Sequence, residues 1–400
     1  MTVPTRRPTA TIASRRSRLS PPRAAAAVAL AGVALLAAAC GSSKPNASTS
    51  TSSTPPTTTA TVSLSSLENW PTSGVTLQET GSSLLYPLFN LWVAQIAKEW
   101  PNVSIQTGST GSGAGATAAE TGTANIGASD PYLSPAQTQL YPQIENIPLA
   151  ISAQQVNYNI PGLSASTHLK LSGTVLAGIY QGTITNWNSA KIAALNPGVK
   201  LPNLAIVPVH RVESSGDTFL FTSFLSSADP TGWTIAPDTL VTWPNVPGAL
   251  SAMGNGGMVT TCKATPGCVA YIGISYLSEA TTDGLGYAAL ENKSGHFETP
   301  TPATIAAEAD SFTSSTPAGG AISMIYGPAS GGYPIVNYEY ALVSTKQPSA
   351  LDAQAVKAVL AWAIDPSAGS GPTYLDQVGF VPLPSAVVSI SAKLLSKVSS

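Results

Sequence analysis

The sequence predicts an α/β protein, and three observations carry that expectation. Hydrophobic residues occupy 43% of 400 positions, enough for one large or two medium cores. Beyond residue 70, short β-rich runs alternate with helix-like ones, the pattern of strands and helices layered on one another. Three of the passages from strand-like into helix-like sequence go through turns of Gly and Ser.

The first 39 residues stand apart from that body. Arg6, Arg7, Arg15, Arg16, Arg18 and Arg23 precede the uncharged run AAAAVALAGVALLAAA at 24–39. A basic head, an apolar run and small residues before Cys40 have the form of a secretory signal peptide at 1–39; the run is shorter than the roughly 20 residues a membrane-spanning helix needs. From Gly41 to about Leu67 the composition collapses to Ser, Thr, Pro and Ala. Such a segment cannot bury enough apolar area to offset its ordering entropy, so 40–69 is expected to be a disordered tether.

In the body, VTLQET, VSIQT and NIGAS are expected strands, separated by the helical runs SLLYPLFNLWVAQIAKEW and GAGATAAETG. Leu84, Leu88, Trp92 and Ile96 recur every four residues, with Leu85 and Phe89 beside them, and define one buried helical stripe. AISAQQVNY, LAIVPVH, CVAYIGIS and YPIVNYEYALV are later strands; TVLAGIYQG, DTFLFTSFL and AQAVKAVLAWAI are later helices. Cys262 and Cys268 are an even pair once Cys40 is set aside, and a disulfide closing a small loop is expected in an oxidising compartment. The alternatives are a metal pair or two free thiols. His168, His210 and His296 are scattered and complete no zinc site, so no metal is expected.

Charge narrows the function. Without the leader, 12 basic residues face 20 acidic ones, a net charge of −8. A body that acidic is a poor partner for nucleic acid or an anionic membrane surface, both of which need a basic face. Arg211 is its only arginine.

The candidate chemistry lies in the three turns. TGSSLLYPLF sets Ser82 and Ser83 at the start of one helix, TGSTGSGAGA sets Ser112 at the start of another, and RVESSGDTFLF sets Ser214, Ser215 and Gly216 before a helix beginning near Asp217. Helix N-termini carry unpaired N–H groups and partial positive charge, so several facing one cleft bind an anion without cationic side chains. Any one of these serines alone reads as a helix cap. NIGASDPYL ends a strand at Asp130, which alone reads as a turn residue.

Three enzyme readings fare worse. Gly111–Ala116 satisfies the dinucleotide pattern G-x-G-x-x-G/A, with Asp130 near the spacing of a ribose-binding acid, but nicotinamide cofactors are cytoplasmic and the expected export argues against one. None of Ser82, Ser112 or Ser215 has the flanking glycines of a hydrolase nucleophile elbow. Gly108 and Gly113 are followed by Ala114 where a P-loop has lysine. No enzyme activity and no cofactor are expected.

The strings ETGSSLLYPLFNLW, TGSGAG, NIGASD, LAISAQQVNYN, YQGTITNWN, LNPG, HRVESSGDTFLFTSFL, GNGGMVT and CVAYIGISYL, in that order from about residue 70 onward, resemble the phosphate-binding lipoproteins of phosphate ABC transporters, the PstS family, and its actinobacterial branch in particular. The resemblance implies the type II periplasmic-binding-protein fold: two α/β lobes joined by a hinge, with the ligand cleft between them. The lobes are then 70–155 and 326–400 for lobe I and 156–325 for lobe II. By motif it implies phosphate contacts from Ser82, Ser83, Leu84 and Ser112, from Asp130, and from Arg211, Ser215, Gly216 and Asp217. The sequence departs from the family's pattern at Glu213 and Ser214, where aspartate and glycine are more usual. Ala38, Ala39, Cys40 and Gly41 resemble a lipobox, with Ala37 where leucine is usual, implying lipidation at Cys40.

The implied function is an extracytoplasmic, lipid-anchored monomer on the cell membrane that captures inorganic phosphate and delivers it to the permease and ATPase subunits of an ABC importer. A phosphate sensor or surface adhesin on the same fold is the rival reading. In the expected site Asp130 accepts the proton that phosphate retains and sulfate lacks. Arg211 is expected to pair with Asp130 and donate to the ligand, while Asp217 acts as a second acceptor or a helix cap.

Overall fold

The structure is a computed structural model and describes residues 62–400. The expected signal peptide, the Cys40 lipidation site and the tether up to residue 61 lie outside the described residues. At its far end the expected tether carries structure: Leu64–Leu67 is a short helix with Leu67 buried, and Trp70 stacks on Trp100 at 3.6 Å between ring centroids. The two apolar residues that close the Ser/Thr-rich stretch suffice to dock it on the folded body.

Among the described residues, twelve strands build two sheets. β1 (Val75–Gly81), β2 (Val103–Gln106) and β3 (Ile126–Ser129) come first, followed by the long β4 (Ile144–Tyr158) and the short β5 (Lys170–Leu171). Next come β6 (Val207–Arg211), β7 (Leu250–Ala252), β8 (Cys268–Gly273) and β9 (Gly286–Tyr287). β10 (Ala289–Glu291), β11 (Phe297–Glu298) and β12 (Val336–Ser344) complete the set. The main sheet has the order β2-β1-β3-β12-β4-β8-β6-β7, with β9 also paired to β4; β11-β10-β5 form the second.

β1 pairs in parallel with β2 and β3, and the helices Tyr86–Glu99 and Ser112–Thr121 make the crossovers. The helical stripe read from the sequence is the buried face of the first: Leu88, Phe89, Trp92 and Ile96 are each at most 1% exposed, with Leu84 and Leu85 buried just before it. On the far side β6 pairs in parallel with β7 and β8, with the helices Gly216–Ala228 and Gly254–Ala264 between them in sequence. β3 and β8 are buried along their whole length, as strands covered on both faces must be.

Two antiparallel strands tie these halves together. β4 pairs with β12 through Ile144–Ala153 and with β8 through Gln154–Tyr158, so one strand belongs to both halves, as in the two-lobe periplasmic-binding-protein fold. The expected strand at 150–158 thus begins six residues earlier. Pro148 lies in the added part and cannot donate to the ladder; the register steps from Glu339↔Ala150 to Tyr340↔Pro148, leaving Leu149 as an extra residue. Cys262, near the end of one helix, and Cys268, at the start of β8, are joined by a disulfide, both fully buried. Among the described residues no helix is long and apolar enough to cross a membrane, and no group of three His, Cys, Asp or Glu side chains is placed to hold a metal ion.

Candidate functional site

All three Gly/Ser turns and Asp130 meet at one buried point between the halves. The first turn follows β1. The Ser82 hydroxyl accepts from the N–H groups of Leu84 (3.1 Å) and Leu85 (3.0 Å) and donates to Asp130 Oδ1. Ser83 faces the other half, its hydroxyl accepting from Arg211 Nη2 (3.0 Å) and from the backbone (3.2 Å) and side-chain (3.0 Å) nitrogens of Asn255. Leu84 is fully buried and its carbonyl accepts from Ser275 Oγ at 2.7 Å.

Ser82 binds the N–H groups of the turn before its helix, whose own N-cap, Leu85, makes no side-chain bond. The Ser112 hydroxyl, at the start of its helix, instead accepts from Asp130 N at 3.2 Å, and no side chain caps that helix. Ser215 precedes the Gly216–Ala228 helix without capping it, and its buried hydroxyl has no partner among the described residues. That leaves a hydroxyl and the first N–H groups of a helix at the same place, donors of the kind an oxyanion takes.

Asp130 directly follows β3 and is 1% exposed. Its carbonyl accepts from Asn337 Nδ2 at 3.2 Å, tying it to β12. Burial, then the nearby charge of Asp217, pushes its carboxyl up to about 7, against the opposing pull of Ser82, Glu339 and Arg211. Gly216 packs against it from the second half: a Cβ placed there would stand 2.2 Å from Asp130 Oδ2 and 2.5 Å from Ser112 Oγ. Only a residue without a side chain fits.

The expected pairing of Arg211 with Asp130 is corrected by the structure. Arg211 ends β6, and its Nη1 meets Asp217 Oδ2 at 2.6 Å, while Nε (2.7 Å) and Nη2 donate to Glu213 Oε1. The helix that starts at Gly216 brings Asp217 back against the guanidinium that precedes the turn, so the arginine is satisfied within its own half and reaches the first half through Ser83. Burial alone would lower the Arg211 pKa, but Asp217 and Glu213 outweigh it and hold the group charged. Asp217 makes no capping bond: Oδ2 also accepts from Asn255 Nδ2 (2.8 Å) and Oδ1 from Gln154 Nε2 (3.0 Å).

Glu213 and Ser214 have definite places. Burial works to raise Glu213, yet Arg211 and the N–H of Gly254 (2.9 Å) hold it below the ordinary carboxylate range. The Ser214 carbonyl accepts from Gly113 N at 3.1 Å, and its hydroxyl donates to Thr239 Oγ1 at 2.8 Å. A Cβ at Gly113 would strike Ser214 Oγ at 2.0 Å, so the glycine-rich turn of the first half is what lets the Ser214 turn pack against it.

Sequence reasoning missed Asn255, Gln154, Asn337 and Glu339. Asn255 receives Gly273 N at 2.8 Å and links Ser83 to Asp217, but it sits in GNGG, which reads as a loop and folds as a helix. The other three lie on strands whose apolar neighbours mask them; Glu339, fully buried, was signalled only by a charge within YPIVNYEYALV.

A family model described as a PBP superfamily domain matches residues 46–367. The phosphate-binding protein PstS of Methanocaldococcus jannaschii is 33% identical over 350 residues, covering 82% of this chain and 88% of that protein. Phosphate-binding protein PstS 2 of Mycobacterium tuberculosis is 30% identical over 342 residues, covering 80% and 86%. A phosphate-binding protein structure from Stenotrophomonas maltophilia shares the fold, with a TM-score of 0.62 at 20% identity over 80% of this chain and 94% of that one.

Proposed function

The chain belongs to the PstS family of phosphate-binding proteins, within the PBP superfamily, and from that premise we propose that it captures inorganic phosphate outside the cytoplasmic membrane and delivers it to an ABC importer. The observation that carries the reading is the meeting of Ser82, Ser112, Asp130, Ser215 and Gly216 at one buried point between two lobes. Backbone and hydroxyl donors neutralise a tetrahedral anion, and the Asp130 carboxylate accepts the hydrogen that phosphate keeps near neutral pH. Sulfate presents only lone pairs to that carboxylate and is repelled. Binding needs no chemical step: an anion that touches both lobes favours the closed arrangement by its differential contacts.

Phosphate contacts in this reading come from Ser82, Ser83, Leu84, Ser112, Asp130, Arg211, Ser215, Gly216 and Asp217. Lobe I comprises 70–155 and 326–400, lobe II 156–325, a division supported by β4 changing partners from β12 to β8 near Ala153. The chain acts as a monomer, anchored through a lipid on Cys40 and docked on the importer's permease subunits. Calorimetric titration of the soluble body with phosphate and sulfate at equal ionic strength tests the ligand: saturable heat for phosphate and none for sulfate is expected, and equal responses would reject the reading. Labelling with a radioactive fatty acid tests the anchor, which fails if Cys40→Ala is labelled equally.

A further inference from the structure

Behind Asp130 stands a second carboxyl group that the phosphate contacts do not use. Glu339 is fully buried on β12, where the register with β4 slips. Its Oε1 accepts from Ser152 Oγ (2.5 Å) and Asn337 Nδ2 (2.9 Å). Its Oε2 has no hydrogen-bond partner among the described residues, and Glu339 lies beside Asp130: Tyr340 pairs with Ser129 across the two strands, and Asn337 Nδ2 donates both to the Asp130 carbonyl and to Glu339 Oε1. Two neighbouring carboxyl groups shielded from water each disfavour the other's ionisation, which favours a single negative charge and one retained proton on the pair.

We propose that Glu339 holds that proton on Oε2 and donates it to Asp130, acting as a positioning residue that keeps Asp130 an ionised acceptor aimed at the ligand. The inference deepens the phosphate-binding reading and rests on it. Geometry chooses the holder. Ser82 donates to Asp130 Oδ1 and the charge of Arg211, though paired with Asp217 and Glu213, also favours the ionised form of Asp130, while the charge of Asp217 opposes it. Among the described residues no cation pairs with Glu339: around it are Asp130, Ser152 and Asn337, with Tyr340 next on its own strand. Burial, followed by the charge of Asp130, drives Glu339 well above the carboxylate range. Phosphate selection thus depends on a neutral acid that never touches the ion.

Infrared difference spectra of the unliganded full chain at neutral pH locate the proton. Glu339→Gln is expected to remove the carbonyl stretch of a protonated acid; loss of an ionised carboxylate band instead would overturn the proposal, whatever happens to binding. Phosphate and sulfate titrations supply the second arm. Glu339→Gln retains a donor and should keep the preference for phosphate within about threefold, whereas Glu339→Leu should reduce it about tenfold or more. A glutamine variant that loses the preference as fully as leucine, or a leucine variant that retains it, would also overturn the proposal. If leucine prevents folding, the glutamine variant and the spectra still decide. Failure of the wild-type chain to bind phosphate would sink the phosphate-capture reading alone, because the spectra report the proton without ligand.

Discussion

Arg211 and Asp217 form a 2.6 Å ion pair in which both side chains are 1% exposed, and the two residues lie six apart in the chain, on either side of the turn that carries Ser215 and Gly216. The pair closes that turn on itself. Burying two charges is costly, and removing one partner leaves the other uncompensated in a dry site. Arg211→Met should therefore destabilise the body by about 3–5 kcal/mol in urea denaturation, and adding Asp217→Leu should recover part of the loss. No recovery in the double variant would show that the pair is not the unit at stake.

Gly216→Ala probes the approach of the lobes. The added methyl would stand 2.2 Å from Asp130 Oδ2, in contact with a group from the other lobe, so the closed arrangement cannot form unchanged. Phosphate affinity should fall about a hundredfold or more, while the melting temperature of the unliganded protein moves little, since alanine suits a helix start as well as glycine does. Small-angle scattering with and without phosphate would check the loss of closure.

Asp130→Asn changes an acceptor into a group that also donates. The variant should bind phosphate more weakly and sulfate more strongly, narrowing the preference by about tenfold or more in competition titrations. An unchanged ratio would remove Asp130 from the selecting role.

Glu79 predicts a pH dependence separate from ligand binding. It is 3% exposed on β1 with neither carboxyl oxygen paired to a side chain, and burial pushes its pKa up to about 8 against the lowering effect of a hydrogen bond at Gly108. A raised carboxyl contributes stability that is complete below the ordinary pKa of 4.5 and lost as pH rises through the folded value. Glu79→Gln should thus melt about 3 °C or more above wild type near pH 8.5, with the gap closing toward pH 5. A gap independent of pH would show that Glu79 does not titrate in this range.

The Cys262–Cys268 disulfide closes a loop spanning six residues of separation. For so short a loop the chain-entropy contribution is about 2 kcal/mol, and Cys262→Ala with Cys268→Ala should lose about that much in denaturant unfolding. Treating wild type with a reductant should reproduce the loss if the bond is reducible in the native state, and should add nothing to the double variant.

Much of this was legible in the residues. Hydrophobic periodicity located the first helix and its buried stripe, alternation located the strands, and the three Gly/Ser turns marked where helices begin with unpaired donors. Where the reading fell short, non-local pairing is the reason. Pro148 hid the first half of β4, since a proline argues against a central strand until a register slip accommodates it. Asn255 hid in a glycine-rich run whose helix is held by packing and by Gly273 N, 18 residues away.

The sequence by itself determined which local conformations are available and which groups can donate or accept: period, turn chemistry and the near-absence of arginine are properties of neighbouring residues. Which of those groups meet was decided only by the tertiary structure. Arg211 faces Asp217 and Glu213 instead of Asp130, and Glu339 lies against Asp130 from 209 residues away, because β12 returns between β3 and β4. Proton sharing and ion pairing act over a few ångströms in space, and chain separation carries no information about that distance until the sheet is assembled.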